Sequence, residues 1–276
     1  CPPVAQRPKK LSVTEISTWM RNPYAIYARH ILNLKKLDEL DAEFDAADRG
    51  TMVHEALEEF VREFPEKLPP NAKSKLLAIG RKIFAKGKDD PRVRAFWEAG
   101  FANIATWFVE QDKKNRDEGV VSVLTEISGQ HQMGDFTLTG RADRIEKLKD
   151  GSARIIDYKT GIVPTKKDVT SGAEPQLPLL ALIASSNGFK EIRATAEACE
   201  YWELKNNISK CAVVGFNKEI PGLIKDAEEN LKQLIENFGN SKTPYTAAPK
   251  PRLQPRHNDY AHLSRLQEWG RTGGET

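Results

Sequence analysis

Three side chains able to hold and use a metal ion occur within one short stretch of this sequence, at Asp143, Asp157 and Lys159. The segments that carry them are rich in apolar and β-branched residues, which predicts two strands, and residues 149–151 between them predict a hairpin turn. A three-residue loop with Gly151 in the left-handed conformation places Asp143 directly opposite Asp157. Lys159 follows Asp157 by two residues and therefore points to the same face of the sheet. The sequence thus predicts two carboxylates and an ammonium that converge on one spot.

A close pair of carboxylates has a chemical consequence. Like charges at short range repel, so one of the acids takes up a proton unless a cation neutralises them. A divalent metal ion is the natural cation for such a pair. The alternative is a pair of solvated surface acids with a salt-bridging lysine. The apolar residues that lead into Asp157, Ile155 and Ile156, favour the metal site.

Glu126 is a third acid, contributed by the predicted strand before this hairpin. Residues 120–127 predict that strand, and Gly134 and Asp135 offer the next reversal. A two-residue turn there pairs Glu126 with Asp143, which aligns the three acids in one row of a three-stranded meander. A slip of one residue would send a side chain to the opposite face. A ligand role for Glu126 and a solvated edge position both remain open.

Four motifs, in this order, resemble those of the PD-(D/E)XK nuclease superfamily, and of its RecB-like branch in particular. They are a Gly-x-x-x-His helix (Gly50 to His54), an Asp followed by Asp-x-Lys (Asp143, Asp157, Lys159), an Asp-x-Lys-Thr-Gly strand (Asp157 to Gly161) and a Gln-x-x-x-Tyr helix (Gln176 to Leu180). The set most closely resembles the C-terminal nuclease domains of AddB-type helicase–nuclease subunits, and the resemblance covers about residues 11 to 270. The resemblance implies an α/β fold with a restriction-endonuclease-like αβββαβ core and a mixed sheet.

The resemblance also implies roles for individual residues. The catalytic residues would be Asp143, Asp157, Lys159 and Gln176. Mg²⁺, with Mn²⁺ as an alternative, would be held by His54, Asp143, Asp157 and the Tyr158 carbonyl, with Glu126 as a weaker candidate. Nucleic acid would contact Arg141, Thr160, Lys166 and Lys167.

Physical chemistry supports several of these roles. Lys159 would orient the attacking water or hold the phosphate, and Gln176, at a helix N-terminus, would lie where the helix dipole favours an anion. For His54 the residues alone leave a packing role open, since a lone histidine on the core face of a helix is commonly a packing residue. Imidazole is also a softer ligand than Mg²⁺ usually selects.

Two departures from the family pattern concern an iron–sulfur cluster and a tyrosine. Many AddB-type and Cas4-type relatives carry four cysteines that hold such a cluster. One precedes the His helix, where this chain has Asn22-Pro23-Tyr24, and three lie near the C-terminus, where this chain has none. Cys1, Cys199 and Cys211 lie elsewhere, the last two inside predicted strands, so we expect no iron–sulfur cluster. Leu180 stands where the motif has tyrosine.

Composition bounds the remaining possibilities. The 276-residue chain carries a formal charge of +3, and six basic against three acidic residues between 240 and 276 account for the whole excess. This basic strap could follow a phosphate backbone or lie solvated across the surface. No apolar run approaches the ~20 residues that cross a bilayer, no signal peptide is evident, and three unpatterned cysteines suit a reducing cytoplasm. Because the sequence starts without methionine, we expect it to be a piece of a longer polypeptide or a processed form.

The predicted organisation is a linker over 1–10, a nuclease domain over 11–270 and a tail over 271–276. The domain divides into a mainly helical part (11–116), an α/β core (117–240) and a basic strap with a helix (241–270). In the helical part, the sequence predicts a Ser12–Glu15 capping box, a second helix from Pro23 to about Leu34, an acidic linker over 37–48, and a helix over 92–116 whose aromatic stripe is core. In the α/β core, it predicts a loop over 162–174, strands over 194–204 and 209–216, and a helix over 223–238.

The leading functional hypothesis is a cytoplasmic, metal-dependent DNA nuclease, acting on single strands that an AddA-type partner feeds to it, with no membrane association. One alternative is an inactive scaffold of the same fold that holds DNA. Another is a stand-alone Cas4-like exonuclease.

Overall fold

The computed structural model describes residues 1–35, 45–85, 91, 95, 100–247 and 259–264. These residues form nine α-helices and six strands. The helices are α1 (Val13–Arg21), α2 (Pro23–Ile26), α3 (Ala46–Glu63), α4 (Ala72–Phe84), α5 (Ala102–Asp117), α6 (Lys166–Thr170), α7 (Gln176–Ser185), α8 (Ile220–Gly239) and α9 (Ala261–Ser264). The strands are β1 (Lys10–Ser12), β2 (Val120–Met133), β3 (Phe136–Leu148), β4 (Ala153–Lys159), β5 (Ala196–Glu203) and β6 (Ala212–Phe216). Among these helices, none is long and apolar enough to cross a membrane.

The six strands form one mixed sheet in which β3 has three neighbours. The β2 strand pairs antiparallel with β3 along nearly its whole length. On the other edge, β1 runs parallel to residues 137–139 of β3, and β4 runs antiparallel to residues 144–147. The β5 strand then adds parallel to β4, and β6 adds antiparallel to β5. This arrangement is the mixed α/β sheet that the sequence predicts.

Both predicted turns and the registers they imply are confirmed. Met133 pairs with Phe136 across a two-residue turn. Between β3 and β4, the Leu148 amide donates to the Ser152 carbonyl around a three-residue loop in which Gly151 has φ +86°. Glycine adopts this positive φ without the steric cost that a Cβ would bring.

Two hydrophobic cores cover opposite faces of the sheet. One lies under α1, α7 and α8, and the other lies under α3, α4 and α5. The second core contains the aromatic stripe of α5, with Phe101, Ile104 and Phe108 at most 1% exposed. The prediction that this stripe is core is therefore confirmed for these residues, while Phe96 and Trp97 lie outside the described residues.

The α1 capping box is confirmed, because Ser12 accepts from the Glu15 amide and the Glu15 carboxylate accepts from the Ser12 amide. The α3 start differs from the prediction. Asp45 caps this helix and Asp48 returns the bond, so residues 45–48 of the expected acidic linker are a helix start. The rest of that expected linker, up to residue 44, lies outside the described residues.

Three further predictions were wrong in detail. The second helix is not continuous to Leu34, because α2 ends at Ile26 and a π-helical turn (Tyr27–Ile31) follows. The predicted loop over 162–174 contains α6, which Thr165 and Asp168 cap reciprocally. Cys211 precedes β6 and does not lie in it, whereas Cys199 is buried in β5.

Residues 1–10, expected to be a linker, pack against the domain through Arg7. Its Nη1 donates to the carbonyls of Phe238 (2.6 Å) and Asn240 (2.8 Å) at the C-terminal end of α8, where helix carbonyls have no partner within the helix. Its guanidinium also stacks over the Tyr245 ring at 5.5 Å. The Tyr24 amide donates to the Thr246 carbonyl at 3.2 Å. The N-terminal segment and the start of the strap are thus held together by hydrogen bonds and aromatic packing.

Candidate active site

The candidate site lies where the ladder between β3 and β4 ends. The last ladder pair is Arg144 with Ile156, and the same register continued by one residue faces Asp143 with Asp157. At this position the Asp143 carboxylate replaces a backbone acceptor, because its Oδ2 accepts a 2.8 Å hydrogen bond from the Tyr158 amide. The side chain of one strand is therefore fixed to the backbone of the next.

Regular side-chain alternation breaks at Asp143 in β3. Ala142 and Ile145 are three residues apart and yet pack in the same core, whereas Arg144 faces the aromatic rings of the opposite core. The same break occurs in β2, where Leu124 and Ile127 both pack on the α1–α7–α8 side. The predicted row of acids is therefore correct in register, but its side chains do not follow the period of two.

Glu126 lies at the break in β2. The ladder pairs on either side of it place it across from Asp143. Its φ is +55°, a left-handed conformation that non-glycine residues seldom adopt and that costs on the order of 1 kcal/mol. Its carboxylate forms an ion pair with the Arg141 guanidinium. Strain held at a carboxylate beside Asp143 is typical of functional positions.

His54 reaches the site from α3, which packs on the face of the sheet opposite to α7. Its Nδ1 lies 3.5 Å from Asp143 Oδ2, and its ring contacts the Tyr158 ring edge-on at 5.7 Å between centroids. Gly50, one turn earlier, allows α3 to approach the end of β4, since a Cβ there would lie 3.0 Å from Thr160 Oγ1. The glycine of the Gly-x-x-x-His motif thus allows α3 to pack closely against the end of β4.

The ligand atoms of His54, Glu126 and Asp143 all lie within 4.8 Å of one another. Two carboxylates and one imidazole form a donor set that fits a divalent ion such as Mn²⁺ or Mg²⁺, because carboxylate oxygens suit both and imidazole suits the softer of the two. Glu126, which the sequence left undecided, therefore belongs to this triad.

Asp157 faces α7 and contacts two other predicted catalytic residues. Lys159 Nζ lies 2.6 Å from Asp157 Oδ2 and donates to Gln176 Oε1 at 3.0 Å. Gln176 Nε2 donates to Asp157 Oδ1 at 2.5 Å. Gln176 is the first residue of α7, as predicted, and Lys159 Nζ also lies 5.5 Å from the Tyr201 ring centroid. These contacts form a closed ring of three side chains.

Burial and mutual repulsion alter the proton affinity of the acids. Burial raises the pKa of Asp157 to about 6, with Lys159 opposing the rise and the Asp143 charge adding to it. Burial also raises the pKa of Asp143, and it raises the pKa of Glu126 to about 7 with a further contribution from Asp143. Burial lowers the pKa of His54, which favours the neutral imidazole that a metal ion requires.

A buried ion network supports β3 directly behind Asp143. The Arg144 side chain has no solvent exposure and pairs with Asp112 of α5 and with Glu146. Asn115 donates to both oxygens of Glu146, at 3.1 and 3.0 Å, and Arg154 donates to it at 3.1 Å. The network ties α5 to β3 and holds Arg144 on the face opposite to the one that regular alternation would give it.

The predicted nucleic-acid residues have different placements. Arg141 is exposed and lies beside the acids through its pair with Glu126. Thr160 is half-buried, and its carbonyl accepts from Lys205 Nζ at 3.3 Å. Lys166 and Lys167 are exposed on α6, with Lys166 Nζ 5.7 Å from the Phe216 ring centroid. Leu180, at the expected tyrosine position, is fully buried in the core of the α7 face.

Two charged residues of α3 went unassigned from the sequence, Glu58 and Arg62. Both influence the pKa of Glu126, so they lie near the acids, and they form an ion pair with each other. Their spacing from His54, four and eight residues, is a helical signal that places them on one face. Arg144 also went unassigned, because the residues of its own strand give no indication that its partner is Asp112 on α5.

The mixed sheet, with its acids, lysine and histidine gathered at the end of β3 and β4, defines a nuclease-type α/β domain. Residues 10–254 match the PD-(D/E)XK nuclease superfamily. The chain belongs to that superfamily.

The chain is also similar to several individual proteins. An uncharacterised protein of Rickettsia conorii, RC0550, is 31% identical over 296 residues, covering 94% of this chain and 34% of that protein. An ATP-dependent helicase/deoxyribonuclease subunit from Clostridium perfringens (strain SM101) is 30% identical over 232 residues, covering 72% of this chain and 20% of that protein. The chain thus spans about a third or less of these relatives. A candidate exonuclease from Eubacterium rectale has a TM-score of 0.44 at 11% identity, with 86% of this chain and 83% of that one covered.

Proposed function

We propose that this domain is a metal-dependent DNA nuclease that hydrolyses phosphodiester bonds, acting as an exonuclease on single strands. The observation that carries the proposal is the juxtaposition of the His54–Glu126–Asp143 triad with the Asp157–Lys159–Gln176 ring at the end of the same strands. Membership of the nuclease superfamily supports the same reaction class.

His54, Glu126 and Asp143 would hold the ion, and Asp157 and the Tyr158 carbonyl are further ligand candidates. A bound Mg²⁺ or Mn²⁺ supplies Lewis-acid polarisation of a phosphoryl oxygen and a more acidic water. For Asp157 to join the ligand set, one of its two oxygens would have to share its present partner, Gln176 or Lys159. We expect no iron–sulfur cluster to be needed for the fold.

Lys159 would place positive charge at the scissile phosphate and orient the attacking water. The Gln176 carbonyl and the Asp157 carboxylate fix its ammonium from two sides, so little side-chain freedom remains to be lost on substrate binding. Gln176 itself stands at the first turn of α7, where backbone amides and the helix dipole favour an anionic group.

The biological setting is proposed by analogy with the Clostridium perfringens relative, which is a helicase/deoxyribonuclease component. Within a helicase–nuclease complex of this kind, the domain would process DNA ends at double-strand breaks together with an AddA-type partner that delivers the strand. Arg141, Thr160, Lys166 and Lys167 would contact the delivered DNA.

The test is degradation of end-labelled single-stranded DNA with Mg²⁺, with Mn²⁺ and with EDTA. We expect cleavage that needs the metal and is lost in Lys159→Ala, with Lys82→Ala, an exposed lysine of α4, as the matched control. DNA binding without cleavage in any metal would support the inactive scaffold instead. Full activity of the full-length protein without a partner would support the stand-alone exonuclease.

A further inference from the structure

Two exposed arginines, Arg62 and Arg141, each form an ion pair with a less exposed carboxylate at the site. Arg62 pairs with Glu58, and the two side chains are 66% and 21% exposed. Arg141 pairs with Glu126, and these side chains are 61% and 15% exposed. In both pairs the guanidinium lies outward and the carboxylate inward. An arriving strand would therefore meet the two arginines before it meets the acids.

The two pairs come from different elements, α3 and the β2–β3 hairpin, and both lie near Glu126. On α3, His54, Glu58 and Arg62 follow one another at intervals of four residues, which stacks them along one helix face. His54 contacts Asp143, so this face borders the metal triad. Arg141 precedes Asp143 by two residues on β3. Glu58, Arg62 and Arg141 all act electrostatically on Glu126, so the three charges lie near this acid.

We propose that Arg62 and Arg141 form a phosphate-binding pair for the backbone of a single strand, and that each leaves its carboxylate when the strand binds. This inference rests on the proposed nuclease function and adds the residues that hold the substrate. A guanidinium donates two parallel hydrogen bonds to a phosphate as readily as to a carboxylate, so the exchange conserves its bonding.

The exchange links DNA binding to the metal site. Glu126 is both the partner of Arg141 and a member of the triad. If Glu126 were to hold a divalent ion, Arg141 would lose its counter-charge. Its guanidinium would then favour a phosphate. Arg62 is released by the strand alone, because Glu58 is outside the triad.

The test measures the affinity for a short fluorescein-labelled oligothymidylate by anisotropy, in EDTA and in Ca²⁺, across a series of salt concentrations. For Arg62→Met and Arg141→Met we expect about tenfold weaker binding. We also expect the slope of log Kd against log salt to fall by about 0.7 per variant, the value for one lost phosphate contact on a single strand. Ca²⁺ should tighten binding to the unaltered protein and should do so less in Arg141→Met.

Two further variants sharpen the result. Lys9→Met removes an exposed cation paired with Asp135 at 3.4 Å. Asp135 lies nine residues from Glu126 along the hairpin, roughly 30 Å at strand spacing, so the salt slope should stay unchanged. Glu58→Gln frees Arg62 and should tighten binding in EDTA severalfold. Thermal unfolding of each variant checks that the fold is retained.

The outcomes separate this inference from the function on which it rests. If the unaltered protein cleaves DNA in Mg²⁺ and both arginine variants keep its affinity and salt slope, the phosphate-binding pair is wrong and the nuclease proposal stands. Weaker binding by Glu58→Gln would also overturn the pair. If the unaltered protein neither binds nor cleaves, the nuclease proposal itself fails.

Discussion

The Tyr158 backbone amide donates a 2.8 Å hydrogen bond to Asp143 Oδ2, one residue beyond the last ladder pair of β3 and β4. A candidate metal ligand therefore completes the backbone pairing of its neighbouring strand. Asp143 has an orienting partner on one oxygen before any ion binds. Such pre-orientation is what ligand groups need in order to bind a metal ion with a defined geometry.

This relationship predicts the behaviour of Asp143→Asn. The amide oxygen of asparagine can still accept from Tyr158, while the negative charge is lost. Removal of a buried carboxylate whose pKa is already raised should leave the melting temperature unchanged or higher in EDTA. Calorimetric titration should show Mg²⁺ or Mn²⁺ affinity reduced at least tenfold. Asp135→Asn, the same change at the exposed hairpin turn, should alter neither property.

Gln176→Leu tests the ring of Asp157, Lys159 and Gln176. Leucine has a similar size but offers no acceptor to Lys159 and no donor to Asp157. We expect kcat for DNA cleavage to fall about tenfold or more with little change in KM, because the loss concerns positioning at the reacting phosphate. An unchanged kcat would show that the contact between Gln176 and Lys159 has no part in catalysis.

The raised pKa values of Glu126, about 7, and Asp157, about 6, predict a pH dependence of stability. Both pKa values exceed the ordinary carboxyl value near 4. Between that pH and the raised pKa values, the native state therefore holds more protons than the unfolded state. Their contribution to stability is fully present below about pH 4 and is lost as pH rises through 6 to 7. Thermal unfolding in EDTA at pH 5 and pH 8 should show this loss, and Glu126→Gln should reduce it.

Metal binding should reverse that trend. In the proposed site the ion would bind the ionised carboxylates, so its binding would release protons and its affinity would rise with pH. The stabilisation by Mg²⁺ should therefore be larger at pH 8 than at pH 6. Equal stabilisation at the two pH values would mean that the ion binds elsewhere.

Arg7→Met tests how the two ends of the domain are joined. Methionine can still pack against Tyr245, but it cannot donate to the carbonyls that end α8. Hydrogen bonds from a charged donor contribute about 1.5–3 kcal/mol each, so we expect a loss of a few kcal/mol in the free energy of unfolding. Urea unfolding measures it, and Lys9→Met, an exposed neighbour, should change it by less than about 0.5 kcal/mol.

Local signals explain what the sequence predicted well. The turns at Gly134–Asp135 and around Gly151 each depend on a few adjacent residues, and they set the register of the three acids. The capping boxes that begin α3 and α6 were equally local, at Asp45 and Thr165. The acidic and polar composition around these residues predicts a linker and a loop, and this composition obscures the two helix starts.

The break in alternation had no local signal. It depends on Arg144 turning toward Asp112, a residue 32 positions earlier on α5. Neither strand pattern contains that partner. The same holds for Arg7, whose partners at the end of α8, the carbonyls of Phe238 and Asn240, lie more than 230 positions away. Contacts of this kind follow from the packing of whole elements and not from the residues beside them.

The break also has an experimental consequence. Since Ala142, Ile145, Leu124 and Ile127 seal the core on either side of Glu126 and Asp143, the two acids contribute little to either hydrophobic interior. Substitutions at these acids should therefore abolish catalysis without unfolding the domain. Single isosteric substitutions of Glu126 or Asp143 should give folded, inactive protein that can be crystallised with a bound strand.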